Sequence, residues 1–328
     1  MPANLSPEYK AAEDEYRTAK DPQTKLACLE KMLSTIPKHK GTEKMQADLK
    51  RRISRLKDGL QKKSGKKGFS VAIDKEGAAQ VVLVGAPNAG KSALVEVTTN
   101  ARTEVADYPF STRSPIPAMQ VFENLQFQLV DLPPVSDEYM EPWVTDIIRS
   151  GDSAMWVIDA ADPDLKDKLD LVRRILENKK ILLVGHDEKP NRGGAPIRRM
   201  PSIVVATKQD QPAAARGTEQ IKDFFEPRIE VLAVSAMEDS DFSQVGQSLF
   251  ELNRIVRVFS KTPGKDADLS KPYVMHRGDR LIDFAEQVHK DFAKKLRYAR
   301  IWGAGKFDGQ RIQRDQELVD GDIVELHT

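Results

Sequence analysis

Residues 85–92 read Gly85-Ala86-Pro87-Asn88-Ala89-Gly90-Lys91-Ser92, a G-x-x-x-x-G-K-[ST] pattern, and the flanking chain supplies the context that pattern needs. Before it, Gln80-Val81-Val82-Leu83-Val84 is an apolar, β-branched run that predicts a buried strand. After it, Ser92-Ala93-Leu94-Val95-Glu96-Val97 opens a helix. Gly85 and Gly90 let the backbone turn its N–H groups around a phosphate chain. Lys91 then reaches the terminal phosphates, the Ser92 hydroxyl is placed for Mg²⁺, and the helix N-terminus adds a partial positive charge. Few folds other than an α/β sheet can present such a loop.

The chain of 328 residues is long enough for two or three domains, and 40% apolar with 31% charged residues describes a chain able to build a full core. It contains no apolar run of the ~18 residues that a membrane span needs. Residues 1–10 lack the basic and apolar regions of a secretory signal. Cys28 is the only cysteine, so an internal disulfide is excluded and a reducing, cytoplasmic setting is expected. The five histidines (39, 186, 276, 289, 327) show no ligand spacing. A net charge of +1 hides an asymmetry: twelve Lys or Arg against three acids lie between Lys38 and Lys67.

Three regions separate by pattern. Residues 1–75 form a basic segment whose apolar residues (Leu26, Leu29, Met32, Leu33, Ile36, then Met45, Leu49, Ile53, Leu56, Leu60) recur at helical steps, followed by a lysine-rich connector at 62–68. From 76 to 253, strands at 81–84, 127–131, 155–159, 181–184, 203–206 and 231–234 alternate with helical stretches, which predicts a mostly parallel sheet with helices on both faces. A polar loop is expected over His186–Met200. Residues 254–328 change rhythm: strands at 255–259, 273–275, 298–302 and 323–326 surround a helical stripe of Leu281, Phe284, Ala285, Val288 and Phe292.

Further chemistry is arranged around the loop. Asp131 ends a strand about forty residues later, where a metal's second contact usually arises, often through water. Thr207-Lys208-Gln209-Asp210 follows another strand. The Asp210 carboxylate can accept two parallel hydrogen bonds from guanine, which adenine does not offer, while the Lys208 stem lies along the purine. An ATP-binding chain remains the alternative if Asp210 does not read the base. Ser235 and Ala236 are placed to offer a backbone N–H to the guanine oxygen. Tyr108-Pro109-Phe110-Ser111-Thr112 carries hydroxyls that can close on Mg²⁺ when a γ phosphate is present, and Pro115 and Pro117 make the next stretch extended.

On these residues, 40–328 resembles the Obg/DRG group of translation-factor-class GTPases, and the DRG branch in particular. The basic helical lead-in, 108–112 and Asp131-Leu132-Pro133 carry the likeness. Val274–His289 and Tyr298–Gly303 are similar to a TGS domain, a ubiquitin-like β-grasp module. The resemblance implies an α/β, P-loop GTPase (Obg-type G) domain over 76–253 and a TGS domain over 254–328. It implies GTP and GDP as ligands across residues 85–92, 110–112, 131, 207, 208, 210, 235 and 236. Ser92 and Thr112 become direct Mg²⁺ ligands, Thr112 becomes the first-switch threonine, and Lys91 and Thr112 become the catalytic pair. Thr207, Lys208 and Asp210 select guanine. Asn88 resembles the asparagine with which potassium-stimulated relatives hold K⁺, and reads equally as a turn residue after Pro87. A ribosome or RNA partner is implied for the basic segment and the TGS domain.

Two departures bear on activity. The family's Asp-x-x-Gly second switch is here Asp131-Leu132-Pro133-Pro134, and proline has no N–H to give a γ phosphate. Val135 stands where a water-orienting Gln or His would help, so hydrolysis is expected to be slow or partner-stimulated. The alternative is a guanine-nucleotide-binding scaffold with negligible turnover. The insertion that DRG proteins carry before the guanine motif is reduced to about 179–200.

Overall fold

The computed structural model describes residues 9, 15, 16, 22–36, 45, 46, 49, 51, 52, 73–99, 115–137, 140–186, 188, 190, 191, 196–239, 241–303 and 306–328. The chain divides into two units, Met1–Ser70 and Val71–Thr328. In the first, helix α1 (Pro22–Thr35) buries Leu29 and Met32, which cluster with Ile36, Tyr9 and Leu49, as the three-and-four spacing predicts. Arg51 and Arg52 are helical and exposed. The connector 62–68 and the rest of the basic stretch 44–57, apart from Met45, Gln46 and Leu49, lie outside the described residues.

The second unit opens with a seven-stranded sheet. β1 (Ala79–Val84) is buried along its whole length, because its alternate residues feed two different cores. Val82 and Val84 face one apolar cluster with helices α3 (Pro142–Ser150), α4 (Leu165–Asn178) and α5 (Ala214–Phe225). Val81 and Leu83 face the other with α2 (Lys91–Thr99) and α6 (Ser243–Leu252). β1 pairs in parallel with β3 (Leu125–Asp131) and β4 (Ser153–Asp159). β4 pairs with β6 (Arg198–Thr207), and β6 also takes β5 (Ile181–Val184) along its first half and β7 (Val231–Ala233) along its second, all in parallel. Parallel order places the ends of β1, β3, β4, β6 and β7 along one edge, and every sequence-derived site residue among the described positions lies there.

Two details differ from the sequence reading. β2 (Ile116–Phe122) joins antiparallel to β3 as the edge strand, where Pro117 costs little because an edge leaves N–H positions outside the ladder. The loop expected to run to Met200 ends earlier, since β6 starts at Arg198. The Arg198 guanidinium can be buried there because it donates to the carbonyls of Arg149 (3.2 Å), Gly151 (3.0 Å) and Asn191.

The C-terminal sheet has the order β11-β10-β12-β8-β9. Its strands are β8 (Ile255–Ser260), β9 (Tyr273–His276), β10 (Tyr298–Trp302), β11 (Gln310–Ile312) and β12 (Asp322–His327). Parallel β8–β12 at the centre, with antiparallel neighbours, and α7 (Leu281–Val288) pressing Leu281, Phe284 and Ala285 into one face make a β-grasp. The two sheets meet at the β2–β3 turn. There Arg257 forms an ion pair with Glu123, holds Asp320 through two nitrogens at 3.0 and 2.7 Å, and lies 5.0 Å over the Phe250 ring.

Candidate functional site

The loop after β1 turns through two left-handed positions, Asn88 (φ 61°) and Gly90 (φ 88°). Gly85 has no room for a side chain: a Cβ there would lie 2.3 Å from the Val157 carbonyl oxygen. Both glycines are thus required by sterics, as the spacing predicts. Pro87 and Asn88 are exposed, while Ala86 and Ala89 pack inward. Lys91, in the first turn of α2, is buried, and its Nζ lies 3.4 and 3.3 Å from the carbonyl oxygens of Gly85 and Ala86. Burial pushes its pKa down, against the attraction of Asp131. This cation is therefore folded into the loop, ready to exchange carbonyl partners for stronger anionic ones.

At the end of β3, Asp131 Oδ2 accepts a hydrogen bond from the Ser92 hydroxyl at 2.5 Å. Its Oδ1 is buried without a hydrogen-bond partner among the described residues. Burial raises the Asp131 pKa, opposed by the Ser92 hydroxyl, Lys91 and the Leu132 amide. A hydroxyl, a carboxylate and one unpartnered carboxylate oxygen are hard oxygen donors beside a phosphate loop, so the residues fit a Mg²⁺ ion. Phe110, Ser111 and Thr112 lie outside the described residues.

Beyond Asp131 the chain turns back onto the loop. The Val135 amide donates to the Gly85 carbonyl at 2.9 Å, and Leu132 and Val135 are buried in the same cluster as Ala86 and Trp143. The Val135 side chain therefore points into the core, a placement that sequence alone does not reveal.

The other half of the candidate site is assembled from β6, β7 and the turn after β4. The Thr207 hydroxyl, 2% exposed, donates to the Ala89 carbonyl at 2.8 Å and lies 3.0 Å from the Ile158 carbonyl, which ties this loop to the phosphate loop. Asp210 accepts from the Ser235 hydroxyl at 2.8 Å, so the two loops after β6 and β7 are joined. The Ser235 amide donates to Asp239 at 2.5 Å, which leaves Ala236 as the better placed amide of the pair for a ligand. Lys208, in a left-handed conformation (φ 60°), pairs with Asp159 Oδ2 at 2.6 Å. Asp159 is a residue the sequence reading missed; a carboxylate ending an apolar strand was its only trace.

The comparisons agree with this geometry. Residues 80–186 match the family model described as 50S ribosome-binding GTPase, and residues 256–328 match the TGS domain. An uncharacterized GTP-binding protein of Methanocaldococcus jannaschii is 26% identical across 91% of this chain and 90% of its own length. Developmentally-regulated G-protein 3 of Arabidopsis thaliana is 24% identical across 92% of this chain and 97% of its own. Among solved structures, the YchF GTPase of Schizosaccharomyces pombe superposes with a TM-score of 0.51 at 13% identity, covering 77% of this chain and 99% of that one, a likeness of fold. Fold and matches define a GTP-binding protein of the P-loop class with a C-terminal TGS domain. Within that class the chain is a DRG-like GTPase, similar along almost its whole length to proteins of that name.

Proposed function

We propose that this protein is a cytoplasmic guanine-nucleotide switch that hydrolyses GTP slowly or with a partner's help and contacts ribosomal or other RNA. The observation that carries the nucleotide part is the Thr207–Ala89 hydrogen bond, which locks the base loop to the phosphate loop and so fixes the distance between purine and phosphates. In this reading residues 85–92 wrap the polyphosphate, and Lys91 leaves its two carbonyls for the β and γ phosphates. Asp210 accepts from the guanine edge, and Ala236 donates to its oxygen. Ser92 and Asp131, with Thr112, would hold Mg²⁺, which neutralises charge on the phosphates. Asn88 is the candidate K⁺ contact, although its left-handed turn conformation accounts for it equally well.

Support for an RNA partner comes from the outer face of the C-terminal sheet. Alternation puts Tyr298, Arg300 and Trp302 opposite the buried Ala299 and Ile301. On that face Arg311 lies 4.3 Å over the Tyr298 ring, Tyr298 stacks on His327 at 4.3 Å, and Lys261 lies 5.0 Å from the Trp302 ring. Cations interleaved with aromatic rings suit single-stranded RNA, and the basic segment with Arg51 and Arg52 adds a sequence-independent phosphate contact.

The buried Val135 and the Pro134 beside it favour a second reading, a guanine-nucleotide scaffold with negligible turnover. Calorimetric titration with GDP and a non-hydrolysable GTP analogue, followed by turnover with and without ribosomes and K⁺, tests both. The switch reading expects magnesium-dependent binding of guanine over adenine nucleotides, and turnover that rises with ribosomes. Absent hydrolysis under every condition leaves the scaffold. Equal affinity for ADP and GDP refutes the base assignment. Gain of turnover in Pro134→Gly would identify the missing N–H.

A further inference from the structure

We infer that Asp159 is a positioning residue for the purine, because it holds Lys208 as a ready-made wall of the base slot; this rests on reading 207–210 as the base loop. The turn that follows β4 is itself fixed. The Ala160 amide donates to the Thr207 carbonyl at 3.2 Å, and the Ala161 amide donates to Asp159 Oδ1 at 2.9 Å. Helix α5 closes on the same turn so tightly that a Cβ on Gly217 would lie 1.8 Å from the Ala160 carbonyl oxygen. One Asp159 oxygen is thus oriented by the backbone, and the other faces the Lys208 ammonium at 2.6 Å.

The lysine side is also constrained. A positive φ is rare for a side-chain-bearing residue, and at Lys208 it falls between Thr207, tied to the phosphate loop, and Asp210, tied to Ser235. Asp162, the second carboxylate of the turn, is occupied by Lys168, so Asp159 is the acceptor that Lys208 meets.

The Lys208 side chain remains 34% exposed. An ion pair open to solvent to that extent adds little to fold stability. Its consequence is where it puts the stem. A four-carbon rotor that had to be immobilised when a purine arrived would weaken binding, whereas one already held by Asp159 does not. Asp159 reads no atom of the base. It should therefore strengthen binding of any purine that Lys208 covers, and leave discrimination to Asp210.

The experiment is calorimetric titration of the full chain with GDP and with inosine diphosphate, which lacks the exocyclic amine that Asp210 would read. Wild type, Asp159→Asn, Lys208→Met and the double variant are compared, with apo melting as the folding control. Asp159→Asn should weaken both ligands by the same factor of roughly three to ten, the effect of immobilising one long side chain. It should keep the wild-type ratio between them and leave apo melting unchanged. In the Lys208→Met background, where no ammonium remains to be held, the same substitution should have no further effect. Asp159→Glu should recover part of the loss. GDP affinity unchanged in Asp159→Asn overturns the inference, as does a loss that persists in the Lys208→Met background. Wild type that binds GDP no better than inosine diphosphate instead overturns the base-loop reading.

Discussion

Replacing Thr207 by valine keeps the shape of the side chain and removes only its hydroxyl. In the folded protein that hydroxyl is the donor for the Ala89 carbonyl at 2.8 Å, and both residues are almost fully buried. Valine would leave the carbonyl desolvated and without its donor, a loss of ~1–3 kcal/mol. For a cooperative unit of this size, each kcal/mol moves the melting temperature by ~2–4 °C, so apo melting should fall by roughly 2–12 °C. Thr207→Ser keeps the donor and loses one methyl, and should stay within ~1.5 kcal/mol of wild type. Thr207→Asn offers an amide donor from the same strand end and should recover much of the stability that valine loses. Scanning calorimetry and GDP titration on the three variants check the argument. A valine variant that melts within 1 °C of wild type would show that the bridge is not needed. Equal losses in Val and Ser would trace the effect to packing rather than to the hydrogen bond.

Gly85→Ala puts a methyl group against the Val157 carbonyl at 2.3 Å and should cost stability as well as nucleotide binding, visible as a lower apo melting temperature beside lost GDP titration. Asp131 carries a raised pKa because it is buried, so the folded protein binds its proton more tightly than the unfolded chain. Its contribution to stability is then present at low pH and lost as pH rises through the folded pKa, and magnesium with GDP should reverse that trend; melting against pH with and without both ligands measures it. Arg257→Ala removes the Glu123 and Asn124 contacts between the two sheets and leaves Asp320 of its own domain without its cation, so limited proteolysis should cut between the G and TGS domains faster than in wild type. Should cleavage be unchanged, the shared apolar contacts alone hold the domains together.

The phosphate loop and the strands around it were legible because each is a local pattern. Four apolar, mostly β-branched residues in a row at 81–84 before a glycine read as a strand buried on both faces, while Gly90 marks a left-handed turn and Gly85 a close backbone approach. Asp131 was legible by its place at a strand end. The link between Thr207 and the phosphate loop could be expected from strand order, since a hydroxyl at that sheet edge has few other acceptors. What escaped were contacts between distant segments whose members look ordinary in isolation. Asp159 is one carboxylate among many, and its lysine is 49 positions away. β11 is three residues long with two of them exposed, too short to leave a periodic signal. The extension of β6 back to Arg198 was hidden because an arginine argues for surface, and only the backbone carbonyls around its guanidinium explain why it is inside.

The second switch shows how a single lost donor changes the energetics of its neighbours. In a responsive switch, a γ phosphate draws the segment in by offering an acceptor to a mobile N–H. Here position 134 has none, and the next amide is spent on the Gly85 carbonyl at 2.9 Å. Freeing the Val135 amide would break that bond, and exposing its side chain, now 1% exposed, would add a transfer cost, together roughly 2–4 kcal/mol. No hydrogen bond from Pro134 is available to offset it. On the proposed switch reading, a response to the third phosphate would then rest on the segment ahead of β2, which carries Thr112 in sequence. β2 pairs with β3 residue by residue, and their turn ends at Glu123 and Asn124, both bonded to Arg257 of the C-terminal domain. If the protein works as the proposed switch, that hairpin is the connection by which a change ahead of β2 would be felt at the TGS domain without passing through residues 131–135.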